Sequence, residues 1–377
     1  MQGDKMTKPK LRIGLIGTGF MGKAHAFGFA SAPRVFDLPF DLALVTVADV
    51  SESLAAGAAR AFGFAGHTTD WRDIMADKSI DLVSITAPNA LHKEMALAAI
   101  VAGKHVYCEK PLAPSAADAR AMADAAEARG VKTQVGFNYL CNPMLVLARQ
   151  MIAGGELGEI RGYRGLHAED YMADAGGVYG FRHDPAGGGA LADIGSHALA
   201  TAEFLGGPIV RVMGDCVTMI GERPDGKGGR KPVTVDDVGR AFLRFESGAT
   251  GSIEGNWIAT GRKMQHDFEV YGTKGALAFS QERFNELHYF STADAKGRQG
   301  FRRIEASPDH APYGLFCVAA GHQLGFNDLK AIEVAGYVNA IAGLAPEPFN
   351  FRAGLRIQTL VETIHRSSQA GHWLDVT

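Results

Sequence analysis

The stretch Leu11-Arg-Ile-Gly-Leu-Ile-Gly-Thr-Gly-Phe-Met-Gly22 decides the fold. It opens with an apolar run that predicts a buried strand, continues into the spacing G-x-G-x-x-G, and is followed by a segment with helical character. In this pattern the first glycine permits a tight turn, the second lets the backbone approach a pyrophosphate, and the third allows close helix–strand packing. Amide groups at the start of the helix would face the phosphates. The residues predicted to bind a dinucleotide here are Gly17, Gly19, Phe20, Met21 and Gly22.

Strand and helix patterns alternate from this stretch to about residue 140, which predicts βαβ units and a parallel, doubly wound sheet. Beyond it, strand-like segments follow one another with turn signals such as Ser247-Gly248 between them, and these predict hairpins. We therefore expect an α/β protein in which residues 1–140 form the dinucleotide-binding domain. Residues 141–377 are expected to form an α+β domain with a large, mostly antiparallel open sheet. The charged, Gly-rich segment Pro224–Lys231 is interpreted as a surface loop.

The composition is that of an ordinary globular protein. The 377 residues are enough for two domains, and 38 basic residues against 41 acidic ones give a formal charge of -3. Because there is no net positive field, we expect binding neither to nucleic acid nor to an anionic membrane. The four cysteines lack the close spacing of a disulfide framework, the first ten residues lack the apolar stretch of a secretory signal, and no apolar run is long enough to span a membrane. These features predict a cytoplasmic protein.

Asp49 ends the second predicted strand, where a carboxylate can accept hydrogen bonds from the adenine ribose. Its spacing from Gly22 is somewhat long, and a longer loop before the second strand accounts for the difference. Val50 follows directly, so no arginine stands there to meet a 2′-phosphate. The pattern predicts NAD as the cofactor in preference to NADP. The alternative is that Asp49 is only a turn or cap residue.

Two further clusters carry residues suited to catalysis. Glu109-Lys110-Pro111 follows a strand at the carboxyl edge of the parallel sheet, where such sheets bind ligands. Asp193 and His197 are four residues apart at an apolar helix and are expected on one helix face. Oxidation of a secondary alcohol needs a base near neutral pH, a carboxylate beside the imidazolium, and an ammonium that stabilises the developing alkoxide. The alternatives are two metal ligands at helical spacing, or a surface lysine and a helix cap; we expect no bound metal.

Together these motifs resemble the Gfo/Idh/MocA oxidoreductases, of glucose-fructose oxidoreductase and inositol dehydrogenase type. The resemblance covers nearly the whole chain and is carried by residues 14–22, 86–92, 102–112, 136–139, 188–197 and 271–275. It implies an N-terminal Rossmann domain and a C-terminal α/β domain whose open sheet makes a homodimer or homotetramer interface. It also implies that Lys110, Asp193 and His197 are the catalytic set. One departure is Leu140, where the family often has Arg, and it leaves the substrate open.

Loops that follow the predicted strands supply the remaining cofactor-binding candidates. They stand at the carboxyl edge of the sheet, although a loop-capping role is an alternative for Asn89, which follows the predicted strand Asp81–Thr86. The candidates are Pro88, Asn89, His92, Glu109, Lys110 and Asn138.

Polar and aromatic residues of the second domain are the candidates for binding substrate, and their character predicts a carbohydrate. Arg182, Arg262, Lys263 and His266 would also suit an acidic group on a sugar, whereas solvated turn residues are the alternative for the adjacent Arg–Lys pair. The substrate-binding candidates are Tyr139, His167, Tyr179, Arg182, His183, Trp257, Arg262, Lys263 and His266.

Four functional hypotheses follow. The first is an NAD-dependent dehydrogenase that oxidises a secondary hydroxyl of a sugar or polyol, with His197 as base. The second is an NAD-dependent glycoside hydrolase that oxidises a ring hydroxyl transiently, eliminates the aglycone, adds water and reduces the ketone again. A reductase for a non-sugar substrate and a non-catalytic dinucleotide sensor are the others. The polar candidates disfavour the third, and the presence of Lys110, Asp193 and His197 disfavours the fourth.

Overall fold

The computed structural model describes residues 8–377 and divides them into two compact units. The first unit contains the described residues up to Ala113 together with Ala117–Asn138 and Leu324–Gly354. The second contains Pro114–Ala116, Tyr139–Gln323 and Leu355–Thr377. Each unit is built on one large sheet.

Strands and helices alternate through the first unit, as the sequence predicts. They are β1 (Lys10–Ile16), α1 (Phe20–Val35), β2 (Asp41–Ala48), α2 (Glu52–Phe62), β3 (Gly66–Thr68), α3 (Trp71–Ala76), β4 (Leu82–Ile85), α4 (His92–Val101), β5 (His105–Cys108), α5 (Ala116–Arg129) and β6 (Thr133–Val135). All six strands are parallel, in the order β3-β2-β1-β4-β5-β6. The strand order reverses between β1 and β4, which is the point where open α/β sheets bind ligands at their carboxyl edge. The predicted Rossmann sheet is therefore confirmed.

The rest of the chain begins with a helix and continues mainly as strands. Its elements are α6 (Pro143–Ala153), β7 (Ile160–Ala168), α7 (Ser196–Gly206), β8 (Ile209–Val217), β9 (Glu222–Pro224), β10 (Arg230–Pro232), β11 (Val238–Phe245), β12 (Thr250–Asn256), β13 (Gln265–Gly272), β14 (Gly275–Ser280), β15 (Glu286–Ser291), β16 (Arg302–Glu305), α8 (Phe326–Ile341), α9 (Phe351–Ala370) and β17 (Leu374–Asp375). Nine strands form one sheet in the order β16-β15-β14-β13-β7-β12-β11-β8-β17. Within it β7 and β12 run parallel and the other neighbours antiparallel, which confirms the mostly antiparallel sheet.

The position of α8 differs from the sequence-based prediction. Residues 141–377 were expected to form the second domain, but Leu324–Gly354 belongs to the first unit. Here α8 packs on α1 at Gly28, where a Cβ would lie 3.1 Å from Cγ of Lys330. Phe29 and Val334 join the same buried apolar cluster. Because α8 is buried on most of its surface, it lacks the polar stripe that would mark it as a separate amphipathic helix.

The segment Pro224–Lys231 also differs from its prediction as a loop. It forms most of a short antiparallel hairpin in which Arg230 pairs with Pro224 and Lys231 pairs with Arg223. The side chain of Arg223 is fully buried, so the hairpin is anchored to the second unit. Among residues 8–377, no helix combines the length and the apolar character needed to cross a membrane.

Candidate active site

The glycine loop of the first unit has the shape that a dinucleotide requires. Gly17 has φ +93°, and a Cβ there would lie 2.8 Å from the carbonyl oxygen of Thr86. A Cβ on Gly22 would lie 2.1 Å from the carbonyl oxygen of Gly17. The start of α1 therefore packs against the loop after β1 with no room for a side chain between them. At Gly19, by contrast, a Cβ would meet no heavy atom of the described residues within 4 Å. The loop is therefore closed on its packing side and open beside Gly19, and these residues fit a bound pyrophosphate.

Asp49 lies at the end of β2, as predicted, and its carboxylate is tied to the glycine loop. Its Oδ2 accepts hydrogen bonds from the backbone N–H of Thr18 at 3.0 Å and from the Thr18 hydroxyl at 2.6 Å. Its Oδ1 accepts a longer bond, 3.2 Å, from the N–H of Ser51. The side chain of the next residue, Val50, is almost fully exposed. Asp49 thus anchors the loop, a function that its position after β2 does not by itself indicate.

Thr86 is a further loop anchor and was not among the predicted site residues. Its hydroxyl donates to the carbonyl oxygens of Ile16 and Gly17, at 2.9 and 3.0 Å. Thr86 follows β4 directly. Its side chain therefore joins β4 to the end of β1, and these are the two strands between which the strand order reverses. A threonine immediately after a buried strand is the only sequence signal that could have indicated this role.

His92 and Glu109 do not line an open cleft, which corrects their assignment to the cofactor. His92 is fully buried, with Nδ1 3.0 Å from the carbonyl oxygen of Pro111 and Nε2 2.8 Å from that of Ala87. Glu109 is also buried and bonds to side chains inside the first unit. The hydrogen-bonding atoms of both side chains are used on partners within the first unit, so both residues instead support the loops that follow β4 and β5.

The other cofactor candidates of this edge vary in exposure. Pro88 is exposed and Asn89 is buried, while Lys110 is half-buried and its backbone N–H donates to Oε2 of Glu109 at 3.2 Å. Asn138 is buried, and its Nδ2 has no hydrogen-bond partner within residues 8–377. An unpaired buried amide is costly, so Asn138 keeps its place as a ligand-binding candidate.

Asp193 lies in a π-helical turn and not in the expected α-helix. The turn spans Leu191–Gly195 and leads directly into α7, whose second residue is His197. Asp236 fixes the start of this turn, since its Oδ2 accepts the N–H of Leu191 at 2.8 Å. A Cβ on Gly189, whose φ is +74°, would lie 2.5 Å from Asp236. The glycine-rich run before the turn is therefore needed for this close approach.

The carboxylate of Asp193 is held by two donors from one loop. The hydroxyl of Tyr171 donates to its Oδ2 at 2.7 Å, and Nε of Arg182 donates to the same oxygen at 2.8 Å. The ring of Tyr171 is partly exposed, whereas Asp193 is buried. Tyr171 was not among the predicted site residues, because nothing in its local sequence indicates a partner 22 residues away.

His197 lies beside an aromatic cluster on the sheet of the second unit. The centre of its ring is 4.7 Å from that of Tyr139, 5.5 Å from that of His167 and 6.2 Å from that of His266. All four rings are buried. The structure thus brings three of the predicted substrate-binding residues, Tyr139, His167 and His266, around the predicted base.

His167 and His266 belong to a hydrogen-bonded chain that fixes their tautomers. Nε2 of His167 lies 2.9 Å from Oε1 of Glu169, the two Nδ1 atoms are 3.3 Å apart, and Nε2 of His266 lies 3.0 Å from the Thr201 hydroxyl. Since a carboxylate only accepts, we assign the Nε2–H to His167 and the Nδ1–H to His266. Burial, reinforced by His167, lowers the pKa of His266 well below its ordinary value. His266 is therefore neutral and is not a cation for an acidic substrate.

Each of the three predicted cationic substrate ligands has an acidic partner in the second unit. Arg182 pairs with Asp193 at 2.8 Å, Lys263 with Asp170 at 2.6 Å and Arg262 with Glu282 at 3.7 Å. The side chains of Lys263 and Arg262 are themselves largely exposed.

Trp257, His183 and Tyr179 have structural partners. Trp257 has no exposed surface and donates its indole N–H to Asp237 at 2.7 Å, which corrects its assignment to the substrate. His183 is buried too, and its Nδ1 accepts the N–H of Gly180 at 2.9 Å. The hydroxyl of Tyr179 donates to the carbonyl of His183 at 3.0 Å. These aromatic residues stabilise the loop that carries Tyr171 and Arg182. Within residues 8–377 no three potential ligands are grouped to hold a metal.

The doubly wound sheet, its glycine loop and the carboxylate at the end of β2 define an NAD-dependent oxidoreductase with a separate α+β unit. The chain belongs to the GFO/IDH/MocA family. The family model described as "Oxidoreductase family, NAD-binding Rossmann fold" matches residues 11–137, and the GFO/IDH/MocA C-terminal domain matches residues 145–278. The predicted family and the NAD cofactor are thereby confirmed.

Named relatives define the class of reaction. Levoglucosan dehydrogenase of Pseudarthrobacter phenanthrenivorans is 38% identical, and the match covers 97% of this chain and 98% of that protein. The scyllo-inositol 2-dehydrogenase (NAD(+)) of Bacillus subtilis is 28% identical over 93% of this chain and 96% of its own. The solved structure of levoglucosan dehydrogenase in complex with NADH and levoglucosan superposes with a TM-score of 0.94, at 38% identity, covering 97% of this chain and 99% of that one. The protein is an NAD-dependent dehydrogenase of the sugar and polyol class.

Proposed function

We propose that this enzyme oxidises a secondary hydroxyl of a neutral sugar or polyol, with NAD as hydride acceptor and His197 as base. The observation that supports it most strongly is the end-to-end similarity to levoglucosan dehydrogenase in complex with NADH and levoglucosan. The chain also has Lys110, Asp193 and His197, the set that the chemistry of alcohol oxidation requires.

The three side chains have distinct roles in this proposal. When bound, NAD accepts the hydride that leaves the carbinol carbon. The imidazole of His197 takes the hydroxyl proton, because imidazole is the side chain suited to that task near pH 7. The carboxylate of Asp193 stabilises the imidazolium that forms, and the ammonium of Lys110 stabilises negative charge on the alkoxide oxygen.

The charges of the second unit favour a neutral substrate. Arg182 would be the strongest candidate for an acidic sugar, but its guanidinium already donates to Asp193 at 2.8 Å. Lys263 and Arg262 are also paired with carboxylates. An acidic substituent would have to displace these carboxylates, and His266 is neutral, so an anionic sugar gains little from this surface.

Tyr171 is proposed to contact the substrate. Its hydroxyl is held by Asp193, while part of its ring remains exposed. A sugar ring commonly packs on an aromatic face because such a side chain buries apolar area and keeps a polar tip. Tyr171 and Arg182 together would keep Asp193 ionised and correctly turned.

The open sheet of the second unit is proposed as the surface where copies of the chain associate. On β11 the outward residues Arg240, Phe242 and Arg244 alternate with buried ones, and Phe242 is 60% exposed. Exposed aromatic and arginine side chains are enriched in protein interfaces. Size-exclusion chromatography with light scattering tests this: Phe242→Asp is expected to shift a dimer or tetramer toward smaller species, and an unchanged mass contradicts it.

Steady-state kinetics with a panel of sugars test the proposed reaction. With NAD, the purified protein is expected to form NADH from levoglucosan or another neutral sugar or polyol, at a KM that does not depend on salt. His197→Ala and Lys110→Ala should still bind NAD but lose turnover by about 10²- to 10⁴-fold. A preference for C6-acidic analogues that weakens with salt would contradict the neutral substrate. Turnover above a tenth of wild type in His197→Ala would contradict its role as base.

A further inference from the structure

A buried polar network crosses the interior of the first unit. We call it the Glu109 network, and it consists of His25, Tyr107, Glu109, Gln134, Lys330 and Glu333. The members lie on α1, α8, β5 and β6, except Glu109, which directly follows β5, and all of them are buried. Lys330 has no exposed surface at all. Charged side chains are almost never found in such a position unless they are paired, so this arrangement requires an explanation.

Lys330 is the centre of the network. Its Nζ lies 3.2 Å from Oε1 of Glu109, 2.8 Å from Oε2 of Glu333 and 3.0 Å from the hydroxyl of Tyr107. Oε1 of Glu109 also lies 2.8 Å from Nε2 of His25. Two elements distant in sequence, β5 and α8, are thus joined by one ammonium group.

The second oxygen of Glu109 connects this network to the proposed catalytic lysine. Oε2 accepts the backbone N–H of Lys110 at 3.2 Å. The carboxylate therefore has one oxygen on the Lys330 side and the other on the backbone from which the Lys110 side chain projects. A change in the position or charge of Glu109 would be transmitted directly to that backbone.

The charge state of Glu109 depends on Lys330. Burial alone would raise the pKa of Glu109, but attraction to Lys330 and the hydrogen bond from His25 hold the pKa well below its usual range. His25 cannot replace the cation, because burial and the nearby Lys330 lower its own pKa to about 4. Lys330 is thus the main group that keeps Glu109 anionic at neutral pH, with a smaller contribution from the charge of Lys110.

Two glycines leave room for the side chains of Glu109 and Lys330. A Cβ on Gly136 would lie 2.3 Å from Oε1 of Glu109, and one on Gly28 would lie 3.1 Å from Cγ of Lys330. Any larger residue at Gly136 would displace the carboxylate. The backbone around the pair is therefore matched to this particular position of Glu109.

We infer that Lys330 is a positioning residue for catalysis: it fixes the Glu109 carboxylate, and Glu109 fixes the backbone of Lys110. The inference rests on the proposed catalytic role of Lys110. Helix α8, which returns from the far end of the chain, then contributes to turnover and not only to folding. We expect replacement of Lys330 to lower kcat and to leave NAD binding unchanged. The glycine loop that binds the dinucleotide has other anchors, Thr86 and Asp49.

Four variants and one double variant test this on the full-length enzyme. Lys330→Met removes the charge at similar length, Glu109→Gln removes the carboxylate charge, and Lys330→Met/Glu109→Gln combines them. Lys110→Ala reports on the proposed function. Val338→Ala, a buried apolar truncation on α8 outside the network, is the control for loss of stability.

We expect kcat to fall about 10- to 100-fold in Lys330→Met and in Glu109→Gln, as for a misplacement of about 1 Å at a reacting group, with an unchanged KM for NAD. The double variant should be no slower than the slower single one, because both changes act through one carboxylate. Lys330→Met should also gain an acid-side ionisation in its kcat–pH profile, which the double variant lacks. Val338→Ala should lower Tm and leave kcat unchanged.

Three results would overturn the inference. Normal kcat in Lys330→Met, with turnover lost in Lys110→Ala, contradicts the inference alone. Wild-type turnover in Lys110→Ala contradicts both the proposed function and the inference. Losses that multiply in the double variant show that Lys330 acts independently of Glu109. If Lys330→Met does not fold, Glu109→Gln decides the matter, because it leaves Lys330 paired with Glu333 and must still lower kcat at a near-normal Tm.

Discussion

The carboxylate of Asp49 accepts two hydrogen bonds from Thr18, one from its backbone N–H and one from its hydroxyl, at 3.0 and 2.6 Å. The residue expected to recognise the ribose therefore also fastens the glycine loop. A carboxylate has about four acceptor positions, and Thr18 and Ser51 use three of them here. Asp49 keeps capacity for a ligand, but its replacement will also loosen the loop.

This relationship predicts how cofactor choice responds to mutation. The unmodified enzyme is expected to prefer NAD over NADP by at least about tenfold in kcat/KM, or about 1.4 kcal/mol, because a 2′-phosphate would meet the carboxylate. Asp49→Ser with Val50→Arg should shift the preference toward NADP. Thr18→Val, which weakens the loop anchor alone, should raise KM for both cofactors without changing their ratio. Equal use of NAD and NADP by the unmodified enzyme would show that Asp49 does not recognise the ribose.

Replacement of Asp193 should change the pH dependence of turnover. The anion favours the imidazolium, so Asp193→Asn should move the acid limb of the kcat/KM profile to lower pH and also slow the reaction. The matched control is Asp215→Asn, which neutralises an exposed carboxylate on β8. If Asp193→Asn and the control have the same profile as wild type, Asp193 is not the partner of the base.

The β9–β10 hairpin is predicted to influence sugar binding through Arg223. Its guanidinium donates to the carbonyls of Met172 and Asp174, at 2.6 and 2.7 Å, and thereby holds the loop that carries Tyr171. Arg223→Met should raise KM for the sugar about tenfold, because the free energy of one or two such hydrogen bonds corresponds to a change of that size. KM for NAD should be unchanged. Arg230→Met, an exposed position on the same hairpin, is the control. Equal KM values for the sugar in both variants would contradict this role.

Buried histidines predict a loss of stability in mild acid. Burial, reinforced by Lys330, lowers the pKa of His25 from an ordinary 6.5 to about 4. Because the unfolded chain binds this proton more readily, the contribution is fully present above about pH 6.5 and is lost as pH falls toward 4, on the order of 3 kcal/mol at the limit. Tm measured from pH 7.5 to 5 should therefore fall, and less steeply in His25→Gln than in wild type. His67→Gln, at an exposed position, should keep the wild-type slope; an equally steep slope in His25→Gln would contradict the prediction.

Much of the first unit could be predicted because its strands are short, contiguous apolar runs that end at turn residues. The apolar run that begins at Leu11 lies in β1, and Asp49 directly follows β2 as expected. The return of α8 could not be predicted in this way. Its partners on α1 are some 300 positions away in sequence, and burial on most of its surface removes the helical stripe that marks an independent element.

The candidate site could be predicted only where residue type and local position both indicated a role. Asp193 and His197 stand out because they are polar residues in an apolar helical stretch. Tyr171 and Lys330 could not be identified, since each acts on a carboxylate that is distant in sequence. Trp257 was assigned to the substrate by its aromatic type, but Val233 and Val235 bury it in an apolar cluster.

The stoichiometry of NADH formation tests the central claim most directly. The purified enzyme is incubated with a limiting neutral sugar and excess NAD, and NADH is measured together with the ketone. We expect one NADH for each sugar oxidised, and NADH formation about 10²- to 10⁴-fold slower with His197→Ala. A parallel incubation uses catalytic NAD with aryl glycosides. Aglycone release far beyond the NAD supplied, with no lasting NADH, would contradict the dehydrogenase and establish the hydrolase in its place.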